Sequence, residues 1–174
     1  MIELKTPFDK EEINNLRAGD IVNITGTLYT ARDAAHKKMC TSIENGEELA
    51  FDPKGQGIYY VGPSPAKDGE VIGSAGPTTS YRMDDLTIPL LEKGLKVMIG
   101  KGKRSKEVIE GMKRYGAVYL VAIGGAGAYI SNCIKKCELI DYEELGAEAL
   151  RRLEVENMTL TVCIDSKGNN LYEK

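Results

Sequence analysis

The chain reads as one α/β domain, and three observations predict this. Short apolar runs rich in β-branched residues recur along its 174 residues. Charged, helix-forming stretches separate several of them, and no repeat or low-complexity linker divides the sequence. A chain of this length can bury a substantial core in one domain. In order, alternating apolar positions mark Ile21 to Leu28 as a strand, ended by polar Thr30, with room for a loose amino-terminal arm before it. Ala31 to Cys40 is rich in good helix formers. Glu44 to Gly57 is polar and carries the turn signal Pro53-Lys54-Gly55, after which Ile58 to Val61 makes a short strand. Gly62-Pro63-Ser64-Pro65 forces an irregular loop, and a helix is expected from Asp84 to Lys93. Leu95 to Ile99 and Ala117 to Ile123 suit buried strands. Between them Ser105 opens a helix through Arg114, with Glu107 and Glu110 in its early turns. Glu138 to Ile140 and Leu160 to Ile164 are further strands, followed by a turn at Asp165-Ser166-Lys167-Gly168-Asn169.

Composition narrows the function classes. A hydrophobic fraction of 42% and a charged fraction of 28% are those of a globular protein. The net charge of −3 argues against nucleic-acid binding, which favours a basic excess. No signal-peptide core and no apolar run of spanning length is present, so no membrane association and a cytoplasmic location are expected. Cys40, Cys133, Cys137 and Cys163 have no metal-site or disulfide spacing. Cys133 and Cys137, four apart, could share a helix face and ligate something; the alternative is buried reduced thiols acting as small apolar residues.

Two stretches carry chemistry. The first, Gly73-Ser74-Ala75-Gly76-Pro77-Thr78-Thr79-Ser80-Tyr81-Arg82-Met83-Asp84, follows apolar Val71-Ile72 and precedes a helix. Its small residues, Gly76 among them, let backbone approach a ligand. Free amides at a helix start bind anions, and an arginine fork reads a carboxylate with two parallel hydrogen bonds. The second, Tyr29-Thr30-Ala31-Arg32-Asp33-Ala34-Ala35-His36-Lys37, puts another arginine at a strand-to-helix junction. Two such arginines suit a small dicarboxylate.

Both motifs, in this order and spacing, resemble the β subunit of class I (iron–sulfur) fumarate hydratase and the closely similar L-tartrate dehydratase β subunit. The likeness continues through Gly19-Asp20-Ile21-Val22, Gly26-Thr27, Tyr60-Val61-Gly62-Pro63, Gly100-Lys101-Gly102, Gly124-Gly125-Ala126 and Leu153-Glu154-Val155-Glu156. The resemblance implies a single three-layer β/β/α swivelling domain. It implies a two-chain hydro-lyase interconverting fumarate and (S)-malate, with a 4Fe–4S cluster held by the partner α subunit and not by this chain. An iron of that cluster acts as Lewis acid toward the substrate hydroxyl. An α2β2 assembly is implied, and an uncovered active-site face would let isolated β chains pair as a homodimer.

By the same resemblance, Arg32 and Arg82 clamp the two carboxylates, Thr78 is the catalytic base and Lys101 its helper. A neutral hydroxyl is a poor base, so a nearby cation and desolvation must stabilise the alkoxide. Thr79 could take either threonine's part, and either could instead cap the following helix. His36 could orient substrate, shuttle a proton or make a structural contact; Asp33, behind the site, could pair with a lysine or cap its helix. Lys103, Arg104 and Lys106, in the basic run after Lys101, read as surface charges. Gly124-Gly125-Ala126-Gly127 lacks a phosphate-loop pattern and reads as close strand–helix packing. Ala149-Leu150-Arg151-Arg152 lacks the tryptophan expected of the family, and Asn157-Met158 its Phe-Pro, which leaves the hydroxy-acid open among malate, tartrate and a mesaconate product. A non-catalytic dicarboxylate-binding module is the reading outside the enzyme class.

Overall fold

The computed structural model describes residues 1–122 and 127–173. Its sheet has seven strands: β1 (Ile2–Lys5), β2 (Ile21–Thr30), β3 (Gly57–Tyr59), β4 (Val97–Gly100), β5 (Val118–Val121), β6 (Ile134–Asp141) and β7 (Leu150–Ile164). The helices are α1 (Lys10–Asn15), α2 (Asp33–Glu44), α3 (Ile88–Glu92), α4 (Lys106–Tyr115) and α5 (Gly127–Cys133), with 3-10 helices at Ser80–Leu86 and Glu143–Glu148. The expected mixed α/β class is what the chain adopts.

Neighbours β1, β2, β3, β4 and β5 pair in parallel, and β7 runs antiparallel to β2, β5 and β6. Because β7 joins β5 back to β2, the pairings form a closed circuit of five strands. Side-chain alternation along each strand then feeds two cores. Val97, Ile99, Val118 and Leu120 enter one, shared with Val22, Ile24, Leu153 and Val162. Met98 and Tyr119 enter the other, where Ala35 and Met39 of α2, Leu90 and Leu91 of α3, and Val108 and Met112 of α4 cover the sheet.

Local chemistry sets the element ends. Ser105 caps α4 by accepting a hydrogen bond from the Val108 amide at 3.2 Å, and Gly116, in the left-handed region at φ 72°, closes it. The expected helix from Asp84 to Lys93 is instead the 3-10 helix Ser80–Leu86 followed by α3. Pro89 lacks the amide that would continue an α-helical ladder, and Thr87 donates its hydroxyl to Met83 O at 2.6 Å across the join. The amino-terminal segment is not a loose arm, since β1 pairs with Val22 to Thr25 of β2. Cys133 ends α5 while Cys137 lies in β6, so the two share no helix face. β7 begins ten residues before the expected Leu160, and its exposed side pairs Arg152 with Glu138 of β6 at 2.8 Å. Gly124, Gly125 and Ala126, three of the four residues read as a packing turn, lie outside the described residues.

Candidate functional site

The parallel strands β2, β3 and β4 end on one edge of the sheet, the edge where ligands bind in open α/β folds. The chain leaves that edge through Ala31-Arg32 after β2, through Tyr60 to Thr79 after β3, and through Lys101-Gly102 after β4. Backbone hydrogen bonds draw the three exits together. Ala31 N donates to Tyr59 O at 3.2 Å, Tyr60 N to Ile99 O at 2.8 Å, and Thr78 N to Tyr60 O at 2.7 Å.

The first exit holds Arg32 in extended backbone just before α2. A Cβ on Gly62 would come within 3.0 Å of the Arg32 Cδ, so glycine there leaves the arginine its place between β2 and the loop after β3. Arg32 Nε and Asp33 Oδ1 stand 3.8 Å apart, too far for a hydrogen bond, and neither buried atom has another hydrogen-bond partner among the described residues. Asp33 does not cap α2; Glu148 instead accepts from the Ala34 amide at 3.2 Å.

His36 sits one turn on, 1% exposed. Its Nδ1 lies 2.7 Å from Arg32 O, which assigns the ring proton to Nδ1 and leaves Nε2 a bare acceptor with no partner among the described residues. Burial pulls its pKa down to about 4, against a weaker upward push from the Arg32 carbonyl, so the imidazole is neutral near pH 7. The ring meets Tyr60 edge-on, centroids 5.4 Å apart.

The long second exit is folded back on itself. Tyr59 donates its hydroxyl to Ala75 O, and Ser74 N donates to Ser64 Oγ at 2.7 Å. Gly76 is exposed on this loop. The loop ends as an added strand: Thr79 and Lys101 form a parallel bridge, with Ser80 N donating to Lys101 O at 2.9 Å and Lys101 N to Thr78 O at 3.3 Å. Gly100 permits this approach, because a Cβ there would collide with Ser80 Oγ.

Two expectations change here. The amides of Thr78 and Ser80 are taken by backbone carbonyls and are not free to cradle an anion. Neither threonine caps the helix that follows: Thr79 stands at the cap position without a side-chain cap bond, and Thr78 lies outside it. Both threonines are half-buried, and neither hydroxyl has a hydrogen bond among the described residues. Arg82 and Lys101 are exposed, and neither forms an ion pair among the described residues. Arg32 sits at a strand-to-helix junction as expected, whereas Arg82 lies inside a 3-10 helix reached through the long loop.

Arg104 is the group that the sequence misplaces. Far from lying on the surface, its side chain is 0% exposed and donates from Nε to Asp84 Oδ1 at 2.8 Å. No spacing signal marks it, since its hydrogen-bond partners come from three separate segments, around positions 60, 84–87 and 98. The thiols are scattered: Cys40 donates to Leu86 O at 3.3 Å, Cys163 is in β7, and no disulfide is present. Among the described residues no group of three or more His, Cys, Asp or Glu side chains could hold a metal ion, and no helix is long and apolar enough to cross a membrane.

Comparison with known proteins adds the lineage. The family model described as Fumarase C-terminus matches residues 1–174. Fumarate hydratase 1, mitochondrial, of Leishmania major is 39% identical over all of this chain and 32% of its own length. The aerobic class I fumarate hydratase of Escherichia coli K12 is 38% identical over 88% of this chain and 28% of its own length. The chain thus spans about a third of the fumarate hydratases it matches. A Methanocaldococcus jannaschii protein, provisionally named L(+)-tartrate dehydratase subunit beta, is 40% identical over 95% of this chain and 88% of its own length.

Proposed function

The chain belongs to the fumarase C-terminus family, and from that premise we propose that it is the β part of an iron–sulfur hydro-lyase interconverting fumarate and (S)-malate. The observation that carries this reading is the meeting of Arg32, the Thr78–Arg82 segment and Lys101 at one sheet edge. Each of the three cations lacks a hydrogen-bonded carboxylate among the described residues. Arg82 and Lys101, without an ion pair among the described residues, and Arg32, whose Asp33 contact is a loose 3.8 Å, make a local field that favours a small dianion on a chain of net charge −3.

Arg32 and Arg82 hold the two carboxylates, and their charge also stabilises the enolate-like character that develops as the C–H proton leaves. Thr79 and Gly76 line the bound acid. Thr78 moves the proton, and its unbonded hydroxyl is available for that; Lys101, bridged to the next residue, lowers the cost of the alkoxide. His36 and Asp33 stand behind Arg32, where the neutral imidazole adds no competing charge. The fold is read as the three-layer β/β/α swivelling type. The 4Fe–4S cluster is assigned to a partner α subunit, in an α2β2 assembly in the cytoplasm.

Anaerobic fumarate hydration by this chain, alone and mixed with a cluster-reconstituted α partner, tests the reading. Activity only in the mixture supports it, and a silent but properly assembled mixture overturns it in favour of a dicarboxylate-binding module. One observation favours tartrate as the alternative substrate: the Methanocaldococcus relative is matched over most of its length. The same assay with tartrate and mesaconate separates these substrates.

A further inference from the structure

Arg104 lies where the loop after β3, the Arg82-bearing 3-10 helix and the strands β4 and β5 meet, yet it has no place in the chemistry above. Its Nε donates to Asp84 Oδ1 at 2.8 Å, Nη1 to the Tyr60 hydroxyl at 3.1 Å and toward Met98 Sδ at 3.5 Å, and Nη2 to Thr87 Oγ1 at 3.0 Å. The second Asp84 oxygen accepts from Ser105 N at 2.9 Å. The guanidinium carbon sits 5.2 Å from the ring centroids of both Tyr60 and Tyr119. Tyr119 donates to Gly102 O at 2.8 Å, so the 2.8 Å contact with Ser80 is a bond that Ser80 donates.

These partners are not random core. Asp84 belongs to the 3-10 helix that carries Arg82, and Thr87 directly follows it. Tyr60 accepts the Thr78 amide through its carbonyl, and Gly102 follows Lys101. A buried guanidinium is costly unless its donors are used, and a planar fork fixes angles that an ammonium leaves loose.

We propose that Arg104 is a positioning residue of the site, locking the Arg82-bearing helix, the Thr78–Thr79 edge and the Lys101-Gly102 loop into one register. For its effect on turnover this rests on the hydro-lyase reading above; its structural half does not.

The test uses Arg104→Lys in the chain assembled with its cluster-reconstituted partner. A small misplacement of reacting groups is enough to lower kcat/KM for fumarate by about ten- to a hundredfold. Added to Arg82→Ala, the same change should cost less than about threefold more, because both act through one element. Asp165→Asn, whose carboxylate among the described residues bonds only within its own turn and to Ala18 N, serves as the control. It should lower Tm and leave kcat/KM within about twofold. An independent readout is amide hydrogen exchange. Ser80 and Lys101, whose amides bridge the edge, should exchange at least about tenfold faster in Arg104→Lys, with the β7 amides unchanged. Unchanged exchange overturns the proposal, as does wild-type kcat/KM, full multiplication with Arg82→Ala, or an equal loss in the Asp165→Asn control. If wild type is itself inactive with every acid tried, the hydro-lyase reading fails, and exchange alone still decides the positioning role. If Arg104→Lys does not fold, Asp84→Asn removes the same pair and carries the same expected outcomes.

Discussion

Thr78, Arg82 and Lys103 differ in what their loss should do. Under the proposed chemistry, Thr78→Ala should reduce kcat by about a hundredfold or more with little change in KM, as loss of a proton-transfer group does. Arg82→Ala and Arg32→Ala should raise KM as well. Lys103→Ala, on an exposed residue with no ion pair among the described residues, should change neither by more than about twofold. Steady-state kinetics on the assembled enzyme distinguishes these patterns, and normal turnover in Thr78→Ala would remove it from the mechanism. His36 supplies a pH prediction. Its imidazole takes up a proton near pH 6.5 when unfolded but only at about 4 when folded. Between those values the unfolded state binds more protons, so stability should fall as pH falls, by about 3 kcal/mol in all. Urea midpoints from pH 7.5 to 4 should show this slope, and His36→Gln should flatten it. At this scale the motif residues were legible in the sequence because each carries a distinctive side chain. Arg104 was not, because burial of a cation depends on partners at positions 60, 84, 87 and 98 that no local window contains.

Elements are set by caps, breakers and close approaches. Ser105→Ala removes the α4 cap and should cost about 1 kcal/mol, read as a lower Tm with kinetics little changed. Gly100→Ala should be worse, costing about 1–3 kcal/mol, because the added methyl meets Ser80 Oγ and pushes the threonine edge from the Lys101 loop. A crystal structure of that variant should show the Thr79–Lys101 bridge opened; an intact bridge would mean the loop is held by other contacts. The α4 helix was readable to within a residue from Ser105 and the early-turn acids Glu107 and Glu110. The segment from 80 to 92 was not, since its apolar spacing suits a continuous helix and only Pro89 and the Asp84–Arg104 pair divide it. Strand β7 was under-read because Arg151, Arg152, Glu154 and Glu156 look like a charged surface. They are half-exposed or exposed, alternating with buried Leu153 and Val155.

At the scale of the molecule, the site opens at an edge of the sheet, and exposed Tyr81 stands beside Arg82 there. If a partner subunit normally covers that edge, the chain alone should self-associate over it. Light scattering should then give a mass rising toward a dimer with concentration, shifted back by Tyr81→Ser; a strict monomer throughout would refute this. The sequence by itself determined the α/β class, the strands and helices with strong periodicity, and the two motifs whose residue types point to a dicarboxylate. Those properties are local, carried by spacing and side-chain chemistry within about a dozen residues. Only the tertiary structure decided that β7 closes the sheet between β5 and β2, that the Thr78 and Ser80 amides are taken by backbone, and that Arg104 lies buried among the site segments. These depend on contacts between residues far apart in the chain, where a buried polar group takes whatever partner the packed fold brings to it.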